Sequence, residues 1–70
     1  MEHVTGTLLL IQEGRFRLLQ DDGRGMSLAL CPSAPLEPQD LPPLLYRRVR
    51  ISFRRQKGMI AGAAHAIDAV

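Results

Sequence analysis

The 70-residue chain has no tryptophan, one tyrosine, two phenylalanines and one cysteine. The single cysteine, Cys31, cannot form a disulfide within the chain, and no spacing of His and Cys suggests a structural zinc site. A chain this short buries only about 60% of the surface that its unfolded form exposes. Because such cross-links are missing, stability must come from turn chemistry, a small core or a partner subunit.

Long apolar runs are also missing. The run Leu8–Ile11 is too short for the core of a signal peptide, and no run approaches the ~20 residues of a membrane span. The chain also begins with an acidic rather than a basic segment, and we therefore expect a cytoplasmic protein in a reducing compartment. Hydrophobic content of 46% and charged content of 23% predict one globular domain over residues 1–70 rather than disorder.

The first 31 residues read as three strands joined by two tight turns. We expect the strands at Val4–Gln12, Arg15–Gln20 and Gly25–Cys31. Glu13-Gly14 predicts the first turn, because glycine readily adopts the positive φ of hairpin turns, and Asp21-Asp22-Gly23 predicts the second. Gly6 inside the first strand indicates a bulge or a sharp bend.

The second half begins with the irregular segment Pro32–Pro43, which holds all five prolines. Asp40 before Leu41 and two prolines resembles an N-cap, so we expect a short helix or 3₁₀ turn over residues 41–46. Arg47–Arg54 alternates strictly and predicts a fourth strand; a turn at 56–58 then leads into a fifth, Met59–Ile67. The alanine-rich end could also form a helix, because alanine is the best helix former.

Alternation also predicts which side chains face inward. Val49, Ile51 and Phe53 share one parity of the fourth strand, and the even-numbered set is assigned to the core in the first. Leu9 and Ile11 are then left on the outer face. The expected core is Val4, Leu8, Leu10, Phe16, Leu18, Leu28, Leu30, Leu44, Val49, Ile51, Phe53 and Ile60.

The order of elements is a three-strand meander, a short helix and a two-strand hairpin. With glycines at 6, 14, 23 and 58, this order resembles the OB-fold, a small five-stranded Greek-key barrel with a helix between strands three and four. The resemblance covers nearly the whole chain and includes no signature motif. We therefore predict an all-β, OB-like barrel, with an SH3-like barrel as the alternative architecture.

The charge pattern carries the functional hypothesis. The net charge is only +2, yet six of nine basic residues lie between Arg47 and Lys57, a stretch with no acidic residue. In the OB arrangement, Arg15 and Arg17 would lie across Thr5 and Thr7 from the fourth strand, and such a patch suits phosphates. We therefore predict a weak, charge-driven contact with nucleic acid, which the fold resemblance favours. The predicted contact residues are Arg15, Arg17, Tyr46, Arg48, Arg50, Arg54, Arg55 and Lys57.

Two alternatives stay open. The arginines could form a solvated face that keeps a small protein soluble and protects a sheet edge from self-pairing. The outward Leu9 and Ile11 and the alanine-rich last strand could instead support a protein-interaction adaptor or a homodimer.

Enzymatic chemistry is not predicted. His3 and His65 lack a third ligand at a useful spacing, and Asp21-Asp22 before a glycine is typical of a turn. Cys31 precedes a proline, has no partner base and is interpreted as an inert small residue. We therefore expect a non-enzymatic binding module with no metal, no cofactor and no small-molecule substrate.

Overall fold

The computed structural model describes residues 1–55 and 62–70. Its five strands are β1 (Glu2–Gln12), β2 (Arg15–Gln20), β3 (Gly25–Leu30), β4 (Arg48–Arg55) and β5 (Gly62–Ala69). They close into a barrel in the order β1-β2-β3-β5-β4, and all neighbours are antiparallel except β3 and β5. The predicted all-β, five-stranded barrel is confirmed.

The predicted strands differ from the observed ones by a few residues. The bounds of β2 are as predicted, and β4 lies one residue further along the chain than expected. The helical alternative for the alanine-rich end is wrong, because Gly62–Ala69 is a strand paired with both β3 and β4. The predicted turn at 56–58, the predicted strand start at Met59 and the predicted core residue Ile60 lie outside the described residues.

A β-bulge in β1 changes the predicted inner face of that strand. Leu8 pairs with Leu18, but the next pair on β2 joins Leu10 to Arg17, so one extra residue lies between them. The bulge reverses the alternation. Leu10 is therefore 49% exposed, and its assignment to the core was wrong. Ile11, which was expected to face outward, packs partly buried against the core. The irregularity predicted from Gly6 lies at Leu8–Leu10 instead.

The first hairpin turn is built differently from the prediction. Glu13, at φ 57°, adopts the left-handed conformation that was assigned to Gly14. A residue with a side chain accepts this conformation at a cost of roughly 1–2 kcal/mol. The carbonyl of Gly14 instead accepts a hydrogen bond from Leu30 N at 2.6 Å, which ties the turn to the end of β3. In the second turn Gly23 has φ 90°, in agreement with its predicted role.

The proline-rich connection forms two 3₁₀ turns, Pro38–Asp40 and Pro42–Leu44. The predicted short helix between strands three and four is therefore confirmed. Asp40 is not its N-cap, however. The Asp40 carboxylate accepts a hydrogen bond from Glu37 N at 2.9 Å and stabilises the first turn, because both are at the ends of that turn. Leu41 lies between the turns and is fully buried.

Among residues 1–55 and 62–70, the buried side chains of the barrel interior form one cluster. Most of the predicted core is confirmed, and Val4 and Leu44 pack partly buried against it. Leu30 is only half-buried at the end of β3, so its assignment to the core was wrong. Three members of the cluster were not predicted, namely Leu41, Ala64 and Ile67. The cluster consists of Leu8, Phe16, Leu18, Leu28, Leu41, Val49, Ile51, Phe53, Ala64 and Ile67. Ala63 is also buried but shares the outer face of its exposed partner Arg54.

Candidate functional site

The register of β1 separates the predicted arginines into two groups. Thr5 and Thr7 pair with Arg50 and Arg48 on β4, as expected. On the β2 side, however, Arg17 and Arg15 pair with Leu10 and Gln12, nearer the end of β1. The expected alignment across Thr5 and Thr7 was therefore wrong. It fails because β2 extends past the part of β1 that pairs with β4.

Two of the predicted contact residues are engaged in ion pairs. Arg48 Nη2 donates to Asp21 Oδ2 at 2.7 Å, and Arg55 Nε donates to Glu2 Oε2 at 2.9 Å. The Arg55 guanidinium also lies 5.7 Å from the ring centroid of Phe53. All these charges are exposed, so each pair contributes little to stability. A phosphate would nevertheless compete with a carboxylate at both arginines.

The ion pair with Arg48 lowers the pKa of its partner, Asp21. By donating a hydrogen bond, Arg48 holds the pKa of Asp21 below its ordinary value of 3.8. Because the pKa of Asp21 is lower in the folded state than in the unfolded state, this ion pair stabilises the fold above pH 3.8. The stabilisation is lost as the pH falls through the folded-state pKa.

We expect Arg48→Gln to raise the pKa of Asp21 toward 3.8. The measurement is an NMR titration of the side-chain carboxyl, with Arg24→Gln as the control. Arg24 carries the same charge in the same region but pairs with Asp22. An Asp21 pKa that stays unchanged in Arg48→Gln would contradict the ion pair.

A second group of arginines borders a row of small residues. Arg15 pairs with Ala29, Ala29 with Ala63, and Ala63 with Arg54, so the row crosses four strands from one arginine to the other. At about 4.8 Å per strand, the two arginine Cα atoms are separated by roughly 14 Å along the sheet. At one end of the row, Arg15 pairs with Gln12 near the end of β1. At the other end, Arg54 lies one residue beyond Phe53, which pairs with Glu2 at the start of β1. Strands with so large a stagger tilt strongly, which keeps this row on one side of the barrel.

Arg17 extends this surface along β2. A Cβ atom added to Gly25 would lie 2.7 Å from Arg17 Nη2, so the guanidinium lies over the bare backbone of β3. Ser27, the β3 partner of Arg17, is also small. We call the surface formed by Arg15, Arg17 and Arg54 around Gly25, Ser27, Ala29 and Ala63 the arginine groove. Among the described residues, none of its three arginines is in an ion pair.

One end of the arginine groove opens into a depression of about 700 Å³. Its walls come from the first hairpin turn and from β3, including Arg15, Ala29 and the half-buried Leu30. This volume is within the range of about 300–1,000 Å³ found for small-ligand sites, although the depression is open to solvent. It therefore adds a recess beside the guanidinium of Arg15.

The other predicted contact residues lie away from the groove. Arg50 lies between Thr5 and Asp68 on the outer face of β4, where a carboxylate is its cross-strand neighbour. Tyr46 is 72% exposed and has φ 64° in the turn before β4, beside the bulge of β1. Lys57 lies outside the described residues. The rings of Phe16 and Phe53 are buried, as predicted.

Cys31 follows β3 at the edge of the groove. Its thiol lies 3.1 Å from the hydroxyl of Ser33. Hydrogen bonding from Ser33, first through the hydroxyl and then through the backbone, lowers the pKa of Cys31, and the charge of Arg54 acts in the same direction. The sequence offered no signal for this arrangement, because Arg54 is brought near Cys31 only by barrel closure.

Over residues 1–55 and 62–70, no group of three or more His, Cys, Asp and Glu side chains could hold a metal ion. The helical turns within the same ranges are too short to cross a membrane. No protein-family model, curated protein or solved structure matches this chain. The fold and the surface chemistry must therefore carry any functional proposal.

Proposed function

We propose that the chain is a non-enzymatic OB-fold module that binds single-stranded nucleic acid through the arginine groove. The observation that carries the proposal is the register row Arg15–Ala29–Ala63–Arg54, which leaves a floor of small residues between arginine side chains. The closed strand order and the parallel β3–β5 pair support assignment to the OB-fold. Members of that fold bind oligonucleotides on the face formed by strands two and three.

The chemistry of the groove favours phosphates as its ligands. Guanidinium groups stay charged at every physiological pH and donate paired hydrogen bonds to phosphate oxygens. The alanine, serine and glycine floor lets an extended backbone approach the sheet closely. A single strand, which is narrower than a duplex, fits between arginine Cα atoms roughly 14 Å apart.

The same groove predicts weak sequence preference. Proteins that bind single strands tightly stack bases on exposed aromatic rings. The groove has no such ring among its described residues, since Phe16 and Phe53 are buried. The Arg17 guanidinium over Gly25 is the flat surface on which a base can stack. We therefore propose micromolar, charge-driven binding in a reducing, cytoplasmic setting.

Fluorescence anisotropy with labelled oligo(dT) and a labelled duplex, at two salt concentrations, tests this proposal. We expect binding to the single strand that weakens as salt rises. Arg15→Gln, Arg17→Gln and Arg54→Gln should each reduce affinity by on the order of tenfold, the effect of losing about 1.4 kcal/mol. The triple variant should lower the salt slope by about 2, since each single-strand phosphate contact contributes about 0.7.

Arg50→Gln is the matched control. It removes the same charge from the outer face of the same barrel, but beside Thr5 and Asp68 rather than at the groove. Its affinity should stay within about twofold of the unchanged protein, because separated surface charges are screened beyond ~10 Å at 0.1 M salt. Equal losses of affinity in Arg50→Gln and Arg54→Gln would show that binding depends on net charge and not on the arginine groove. If the protein did not bind either oligonucleotide at low salt, the proposal would be wrong, and the arginines would form a solvated face without a ligand.

A further inference from the structure

The bulge of β1 creates an apolar patch that borders the arginine groove at Arg17, the β2 partner of Leu10. Its members are the large hydrophobic side chains that are exposed away from the chain ends, namely Leu9 (38%), Leu10 (49%), Leu19 (40%) and Tyr46 (72%). Only the terminal Met1 and Val70 are comparably exposed in the described part of the chain. We call these four residues the leucine patch.

The register brings the members of the leucine patch together. Leu19 pairs with Thr7, and Leu10 follows on the same outer face of β1, paired with Arg17. Leu10 and Leu19 are therefore diagonal neighbours, a separation that long side chains can bridge. Tyr46 N donates to Leu8 O at 2.6 Å, which holds Tyr46 against the bulge that contains Leu9.

An exposed apolar cluster of this kind is a candidate site for contact with another chain. Scattered apolar side chains are normal on a protein surface, but contiguous apolar patches mark interaction sites. The bulge enlarges the exposed apolar surface, because regular alternation would have pointed Leu10 into the core. A barrel with a small core also gains stability when such a surface is buried against another chain.

The charges around the patch indicate which partner fits. Along the outer face of β2, Leu19 is flanked at equal spacing by Arg17 and by Asp21, which begins the following turn. A two-fold axis at Leu19 would therefore bring Arg17 of each copy opposite Asp21 of the other. Isologous pairing of one patch with itself is the usual geometry of homodimers. A purely acidic partner would meet repulsion from Asp21 and Asp22.

We infer that the chain forms a homodimer in which the leucine patches of two copies pack together, with Arg17 of each facing Asp21 of the other. An ordinary interface covers about 800 Å² on each partner, roughly one sixth of the 4746 Å² surface. The leucine patch forms the apolar centre of this area, and Arg17 and Asp21 form its charged rim, as in known interfaces. Asp21 retains its bond to Arg48, since a carboxylate accepts several hydrogen bonds.

Sedimentation equilibrium of the full chain without nucleic acid tests the dimer. The average mass should rise from 7.8 kDa toward twice that value between micromolar and millimolar concentrations. Leu10→Glu and Leu19→Glu should weaken self-association at least a hundredfold while the circular dichroism spectrum is retained. Val70→Glu, an equivalent change at an exposed apolar residue outside the patch, should leave it unchanged. A mass of 7.8 kDa at every concentration would overturn the inference, as would full dimerisation of Leu10→Glu.

A charge exchange tests the two-fold register itself. Arg17→Asp and Asp21→Arg each place like charges opposite one another in the dimer, so each should weaken self-association at least tenfold. The double variant Arg17→Asp/Asp21→Arg restores opposite charges and should return the dissociation constant to within about threefold of the unchanged protein. A double variant weaker than either single change would exclude this pairing. Arg17 belongs to both proposals, but the mass is measured without nucleic acid, so the result tests the dimer whether or not Arg17 also contacts a phosphate.

Discussion

Gly6→Ala is expected to remove a large part of the stability of the fold. A Cβ atom at Gly6 would lie 2.8 Å from the carbonyl carbon of Leu19 and 2.9 Å from Gln20 Cα, and closer still to the Leu19 oxygen. These are backbone atoms of β2, so they cannot move without separating β2 from β1. Gly6 is also paired with Val49 of β4 on its other side. A methyl group at this buried position would therefore collide with the backbone of β2.

The expected cost is about 3 kcal/mol or more, which is large for a small protein. A 70-residue chain has a total stability of roughly 4 to 10 kcal/mol. Urea unfolding followed by circular dichroism measures the loss directly. Gly14→Ala is the control, because the nearest atom to an added Cβ is Leu30 Cβ at 4.0 Å. Equal stability of the two variants would show that β1 and β2 are not in close contact at Gly6.

The sequence was informative wherever one face of a strand is buried and the other is solvated. The bounds of the strand Arg15–Gln20 were predicted correctly, because strand side chains alternate with a period of two. The same alternation identified Val49, Ile51 and Phe53 as the inward side chains of β4. The order of elements then restricted the architecture to a small barrel. These features depend on local pattern, which a single sequence contains.

The errors came from features that barrel closure determines. Leu8 to Ile11 is four consecutive apolar residues, and no local signal shows where an extra residue enters the ladder. β1 must pair with β4 through its first half and with β2 through most of its length. The bulge between Leu8 and Leu10 occurs where the β4 pairing ends, so it depends on partners more than 35 residues away in the sequence.

The candidate site was likewise only half predictable. The arginines of β2 and β4 could be placed on the outer face by parity, but their neighbours across the barrel could not. Ala29 and Ala63, which are far apart in sequence, form the floor of the arginine groove only because β3 and β5 run parallel. Arg48 lies in the most basic segment, yet it forms an ion pair with Asp21, because β1 pairs with β4 on one side and with β2 on the other.

Leu41→Ala is expected to cost about 2–5 kcal/mol, close to half of the total stability. Leu41 was predicted as part of a short helix and was not assigned to the core, yet its side chain is completely buried. Backbone bonds from Leu41 N to Pro38 O and from Leu44 N to Leu41 O tie it between the two 3₁₀ turns. The prolines restrict the chain on both sides of this residue, so the irregular segment reaches the core in a fixed conformation.

Two further variants separate core packing from a general effect on the connection. Leu41→Met keeps the side-chain volume nearly constant and should cost less than about 1.5 kcal/mol. Leu45→Ala removes the same atoms from a half-buried position four residues later and should cost clearly less than Leu41→Ala. If Leu41→Ala and Leu45→Ala lowered the free energy of unfolding equally, the proline-rich segment would only cover the barrel and not contribute to its core. A large loss confined to Leu41 would make the proline-rich segment a structural part of the barrel, because without that side chain the barrel lacks one of its fully buried leucines.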